Sequence, residues 1–179
     1  MKSWTLDIIP VRISVEQFLD QTATRGTWYG GGSAAALVCA LSAALLEKLA
    51  THAPTARASR TIRRQCTQLI EEDARTFANV IHVMVRGDRA GTKRALKAAT
   101  QVPWRVWAAS QRLQPLARRI RRDIRPRFRV DLNCALALAR ASAASSSALV
   151  ETNLAWLNDR AYTRQLRRRM ARLAQEVKK

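Results

Sequence analysis

The residues of this chain that could do chemistry stand in a few short runs. Gly30-Gly31-Gly32-Ser33 leads directly into the Ala/Leu-rich block "AAALVCALSAALL". A helix that starts in glycine exposes unpaired N–H groups and a partial positive charge, a fit for an anion or a carbonyl oxygen. The run lacks the GxGxxG spacing of a dinucleotide site, no lysine follows as in a P-loop, and no strand precedes it. It is either a ligand-facing helix start or a tight turn that demands positive φ. Cys39, Cys66 and Cys134 are odd in number and widely spaced, and His52 and His82 complete no metal-ligand pattern. The reading is three buried, reduced thiols in a cytoplasmic protein, with no metal site.

These runs need elements to position them, and the pattern is helical throughout. Ser14 to Gln17 reads as a capping box opening a short helix with Val15, Phe18 and Leu19 on one side. After a loop at 24–32, a helix is expected over 33–51, stopped by "HAP" at 52–54. A long helix over 57–85 carries Ile62, Cys66, Leu69, Ile70, Phe77, Val80, Ile81 and Met84 at steps of three and four, which predicts one buried face. "RGDRAG" at 86–91 is a turn. The next helix, 92–113, should kink or break at Pro103, with a further basic turn or two before "RPRF". Asp131 stands at an N-cap position for a helix over 132–157, and a last helix over 159–177 turns Tyr162, Leu166, Met170, Leu173 and Val177 inward. Two helices rich in small residues, at 33–44 and 139–148, should pack closely on each other or across a subunit interface. No strand alternation and no repeat occurs, so the fold class is all-α. The 179 residues form a single domain, 1–179, built as a bundle of long antiparallel helices.

Composition narrows the function classes. Apolar residues make up 47% of the chain, too many for a disordered protein. The opening "MKSWTLDIIPVRIS" places Asp7 and Pro10 where a signal peptide needs an unbroken apolar core. The apolar stretch Ala34 to Leu46 is too short to span a bilayer, so no membrane role is expected. Net charge is +19, and residues 51–130 alone hold nineteen basic against five acidic side chains. That excess attracts polyanions: nucleic acid, phospholipid or a multiply carboxylated ligand.

Four segments together resemble one family. "FLDQTATRGTWYGGGSAAALVCALSAALLEKLA", "LIEEDARTFANVI", "AATQVP" and "DLNCALALARASAASSSALVETNLAWLND" are similar, in order and spacing, to the formiminotransferase-cyclodeaminase / methenyltetrahydrofolate cyclohydrolase family. The likeness covers about residues 14–160. Tyr29 stands where that family usually has proline, and Leu149 and Glu151 replace its late asparagine and arginine.

The resemblance implies a helical homodimer that takes a tetrahydrofolate derivative as substrate, polyglutamylated or not, and uses no metal. Members form or hydrolyse the carbon bridge between N5 and N10, through a tetrahedral carbon that needs a proton shuttle and a negative field. It points to Asp73 as the catalytic carboxylate, its pKa raised by the neighbouring acids of "EED". The other reading of "EED" is a solvated face paired with Arg75 and the arginines at 60–64. Asp131 is a second catalytic candidate or a helix cap. Gly30, Gly31, Gly32 and Ser33 would face the folate, and Asn153 would read the pterin edge or tie two helices together. Asp159 reads as the cap of the last helix. The alternative function is a basic helical binding protein on the same scaffold, with nucleic acid as its polyanion. Its motive is the arginine excess at 57–64, 112–129 and 164–172, which can equally be solvated faces.

Overall fold

A computed structural model describes residues 13–178. The reading of Asp7 and Pro10 therefore lies outside the described residues. Among the described residues there are six α-helices and one 3-10 turn: α1 (Val15–Ala23), α2 (Gly31–Leu49), α3 (Ala53–Val85), α4 (Arg89–Asp123), the 3-10 turn Pro126–Phe128, α5 (Arg129–Leu157) and α6 (Arg160–Glu176). No strand occurs among the described residues.

Side-chain caps set three of the six described α-helix starts. Ser14 Oγ accepts the Gln17 amide at 3.1 Å and Gln17 Oε1 accepts the Ser14 amide at 2.8 Å, the expected capping box. Asp88 and Asp159 cap α4 and α6 through the amides of Gly91 and Tyr162. Asn158, the one described non-glycine residue at positive φ (47°), closes α5 just before that second cap.

Several boundaries differ from the sequence expectation. Pro54 does not merely stop α2; it sits in the first turn of α3, which begins at Ala53. Proline fits there because that amide has no intrahelical partner in any case. Pro103 and Pro115 both lie inside a continuous 35-residue α4. Each removes a single ladder bond, and the buried row Val102, Pro103, Val106 and Trp107 holds the helix against its neighbours regardless. α5 begins at Arg129, so Asp131 is inside its first turn and Phe128 occupies the N-cap.

The bundle is read from its cross-helix bonds. Ser33 on α2 meets Ile70 and Asp73 on α3, while Glu47 at the other end of α2 meets Arg60 and Arg63, so α2 and α3 are antiparallel. Ser142 Oγ donates to the Ala35 carbonyl at 2.8 Å and Ser42 Oγ to the Ala135 carbonyl at 2.7 Å, so α2 and α5 are also antiparallel. Small side chains permit this approach: Ala36, Cys39, Ser42 and Ala43 on α2 and Ala135, Ala139 and Ser142 on α5 are all buried. The two small-residue helices thus pack on each other within the chain. α2 is the central helix, the one described helix long and apolar enough to cross a bilayer, at 19 residues and mean hydropathy 1.5. Much of it is covered by the bundle itself.

α6 returns along α4 and α5, burying Leu166 with Val150 and Leu154. Two expectations about burial are corrected. Phe77 and Met84 on α3 are exposed, 41% and 46%, because the buried face runs through Ala74, Ala78 and Val80 instead. Val15 and Leu19 on α1 are exposed too, leaving only Phe18 buried. Cys39 and Cys66 are buried free thiols; the Cys39 contact and burial push the Cys66 thiol well up, so it stays neutral. Cys134 is free but exposed, contrary to expectation, since it lies on the outer side of α5.

Candidate active site

The glycine run opens α2 without a side-chain cap. Gly30 is the N-cap with φ of −142°, and Gly31 and Gly32 are already helical. None of the three has positive φ, so the tight-turn reading fails; the positive-φ glycines are Gly26 and Gly87. What requires glycine is space. A Cβ on Gly32 would stand 2.1 Å from Asp73 Oδ1 and 2.6 Å from Oδ2. The carboxylate of α3 is seated directly against the backbone of the first turn of α2.

Ser33 holds it there. Ser33 Oγ lies 3.1 Å from Asp73 Oδ2 and 3.0 Å from the Ile70 carbonyl, so its single proton serves both. The Ser33 amide also donates to Asp73. Even so, burial outweighs these donors and pushes the Asp73 carboxyl up from 3.8 to about 6. The cause differs from the one expected. Glu71 pairs with Arg75 at 3.2 Å and Glu72 pairs with Arg105, so the neighbouring acids are neutralised elsewhere. Arg60 and Arg63 are likewise held by Glu47 and do not reach "EED".

Aromatic rings flank this end. Phe77, one turn beyond Asp73, meets Trp28 edge-on with centroids 6.5 Å apart. Tyr29 meets Phe18 at 5.6 Å, and burial, then Glu71, raises its phenol. α5 supplies the remaining wall. Leu149 would touch a Cβ on Gly31 at 3.9 Å, which with the Ser142–Ala35 bond fixes the register of α5 on α2. In that register Asn153, partly buried, lies one turn beyond Leu149, about 6 Å further along the axis and past the start of α2. Glu151 forms an ion pair with Arg167 of α6.

Asp131 is elsewhere. Its Oδ2 pairs with Lys48 Nζ at 3.4 Å, at the opposite end of α2. Sixteen residues separate Lys48 from Gly32, about 24 Å of helix. Within one chain, Asp73 and Asp131 therefore cannot act on the same atom. Gly30, Gly31, Gly32, Ser33 and Asp73 come together, Asn153 stands at the edge, and Asp131 stays outside.

Ser146 lies in the small-residue segment 139–148, expected from the sequence to serve packing. Its hydroxyl is fully buried and has no hydrogen-bond partner, and it falls between Ser142 and Leu149, level with Gly32 and Ser33. The signal available was the spacing of Ser142 and Ser146, four apart on one helix face. Among the described residues, no cluster of three His, Cys, Asp or Glu side chains could hold a metal.

This helical bundle has a solved counterpart in fold. The chain shares its fold with the crystal structure of formiminotetrahydrofolate cyclodeaminase from Thermotoga maritima, with a TM-score of 0.80 over 93% of this chain and 89% of that one, at 22% identity. Residues 14–172 match the formiminotransferase-cyclodeaminase family, and the chain belongs to it. No curated protein sequence matches it.

Proposed function

We propose that this protein is a folate-dependent one-carbon enzyme that acts on the carbon between N5 and N10 of tetrahydrofolate, with cyclodeamination of 5-formiminotetrahydrofolate as its reaction. The observation that supports it is Asp73, a carboxyl pushed up to about 6 and seated against Gly32 and Ser33. A group with that pKa is available in both protonation states near neutral pH, as a proton shuttle must be. N10 attacks the formimino carbon and loses its proton, while the former imine nitrogen gains one. The tetrahedral carbon then expels ammonia with a proton from Asp73. The ionised carboxylate is left beside the cationic methenyl bridge, which it stabilises. No covalent intermediate is needed, because the amidine carbon is already electrophilic.

The uncapped amides of Gly31 and Gly32 suit a pterin carbonyl, and Trp28 and Phe77 offer apolar surface to its ring. Asn153 would supply its amide at the pterin edge. The test is direct: supply 5-formiminotetrahydrofolate and follow methenyl chromophore and ammonia together. The native protein should release both in equal amounts, and Asp73→Asn should lose about 10²–10⁴-fold in kcat. A native rate no higher than buffer would sink the enzymatic reading. Loss of chromophore when methenyltetrahydrofolate is the starting material would instead favour the cyclohydrolase direction.

The same reading carries a cytoplasmic homodimer. Leu41 of α2 is 49% exposed, with Leu37 and Leu45 half-buried one turn to either side, and Val15 and Leu19 of α1 are exposed as well. A second copy of this chain would cover that stripe.

A further inference from the structure

We propose that the outer face of α6 is a binding surface for the phosphodiester backbone of nucleic acid, separate from the folate chemistry at the start of α2. α6 carries six arginines against one acid, Glu176. Its apolar side is spent on the bundle, through Leu166 with Val150 and Leu154, and through Met170 and Leu173 against Trp107 and Ala108. On the opposite side Arg164, Arg168, Arg169 and Arg172 border a surface groove of about 430 Å³.

Within α6, Arg167 pairs with Glu151, Arg172 pairs with Glu176 and Arg169 lies over the Trp104 ring; several arginines elsewhere are also absorbed by internal pairing. Glu47 takes Arg60 and Arg63, Glu71 takes Arg75, and Glu72 takes Arg105. Among the described residues, no carboxylate lies within ion-pair distance of Arg160, Arg164 or Arg168. These three stand four residues apart, where like charges repel along a helix and weaken it. With Arg172 the row covers about 18 Å, the axial length of about five nucleotides of one strand. At the far end Arg118 of α4 donates to the Val177 carbonyl and carries the positive surface onto the basic end of α4.

The occupant follows from what the ridge has and lacks. A helix that lies on a membrane needs an apolar face to insert, and the exposed large hydrophobic residues of this protein include none from α6. Planar guanidinium groups in a row suit phosphate oxygens. The groove lining holds no aromatic residue for base stacking, so binding reads backbone rather than sequence.

The experiment measures fluorescence anisotropy of labelled single-stranded RNA, single-stranded DNA and duplex DNA with the full chain, between about 50 and 200 mM salt. Affinity should fall steeply with salt for at least one of the three, and the RNA and DNA arms identify the source of the phosphates. The triple variant R164Q/R168Q/R172Q should weaken binding by about tenfold or more at low salt and flatten the log–log salt slope by about 2–3. A charge-matched control on exposed residues of α4, R89Q/K93Q/R94Q, should keep affinity within about twofold. Both variants should keep folate turnover, and the ridge variant, relieved of like-charge repulsion, should not melt below the native protein. The native complex, cross-linked by ultraviolet light, should yield adducts within residues 160–178. The proposal is overturned if no nucleic acid binds at the lowest salt or if the control weakens binding as much as the ridge variant. Cross-links that map elsewhere, or binding confined to anionic phospholipid vesicles, overturn it too.

Discussion

Asp73 concentrates the chemistry of this protein in one side chain, and its environment makes two opposed demands. Ser33 donates to it, which favours the ionised form, while burial favours the neutral one and prevails. The linkage sign follows. In the unfolded chain Asp73 ionises near 3.8, whereas in the fold it keeps its proton to about 6. Its contribution to stability is therefore full below about pH 4 and is lost as pH rises through about 6. Asp73→Asn cannot titrate but can still accept from Ser33. Melting curves across that window should show the variant gaining on the native protein as pH rises, even as it loses turnover. Parallel curves for the two proteins would show that this carboxyl is not perturbed. Gly32 makes a complementary case. The atoms its new Cβ would strike belong to the movable end of Asp73, so Gly32→Ala should keep the fold and displace the carboxylate. We expect a loss of kcat of about 10²-fold or more with a stability change below about 1.5 kcal/mol. A variant that retains full activity would remove the requirement for this close approach.

At the scale of the helices, stability rests on how closely α2 can sit among its neighbours. Ala36, Cys39 and Ala43 are fully buried, and Ser42 and Ser142 turn their hydroxyls onto backbone carbonyls across the α2–α5 seam. Extra methylenes there have no space, so Ala36→Leu should cost about 1–3 kcal/mol in chemical denaturation. Ser42→Ala removes both the hydroxyl and its partnered carbonyl bond at 2.7 Å, and should cost about 1 kcal/mol. The α2–α3 contact ends on Glu47, whose carboxyl is held down to about 2 by Arg63 and Arg60. That ion pair contributes above about pH 4.5 and is lost as pH falls toward 2. Glu47→Gln should therefore flatten the acid limb of the stability profile.

For the whole molecule, two surfaces remain after the bundle has formed, and they are opposite in character. One is the apolar stripe of α2 and α1 around Leu41, the other the arginine ridge of α6. Leu41→Arg should shift the protein to monomer in sedimentation analysis if a second copy covers that stripe, while leaving the bundle folded. A native protein that sediments as monomer at all concentrations would remove the dimer from the reading. The net charge of +19 exceeds what a folate, even polyglutamylated, would require, and the ridge accounts for part of that excess.

The sequence by itself determined the helices, the family and the chemical residue types. Periodicity, the Ser14 capping box and the Asp159 cap were local signals, and local signals survive without knowledge of the partner. The register of "GGGS" with "EED" was also legible, because both runs are short and ordered alike in the family they resemble. Only the tertiary structure decided what those residues do to one another. It showed that Gly32 is needed for clearance rather than for φ, that burial and not Glu71 or Glu72 raises Asp73, and that Asp131 lies a helix length away. Each of these depends on which side chain another helix brings near, and on how much water that approach removes. Neither quantity is written in the spacing of residues along one chain.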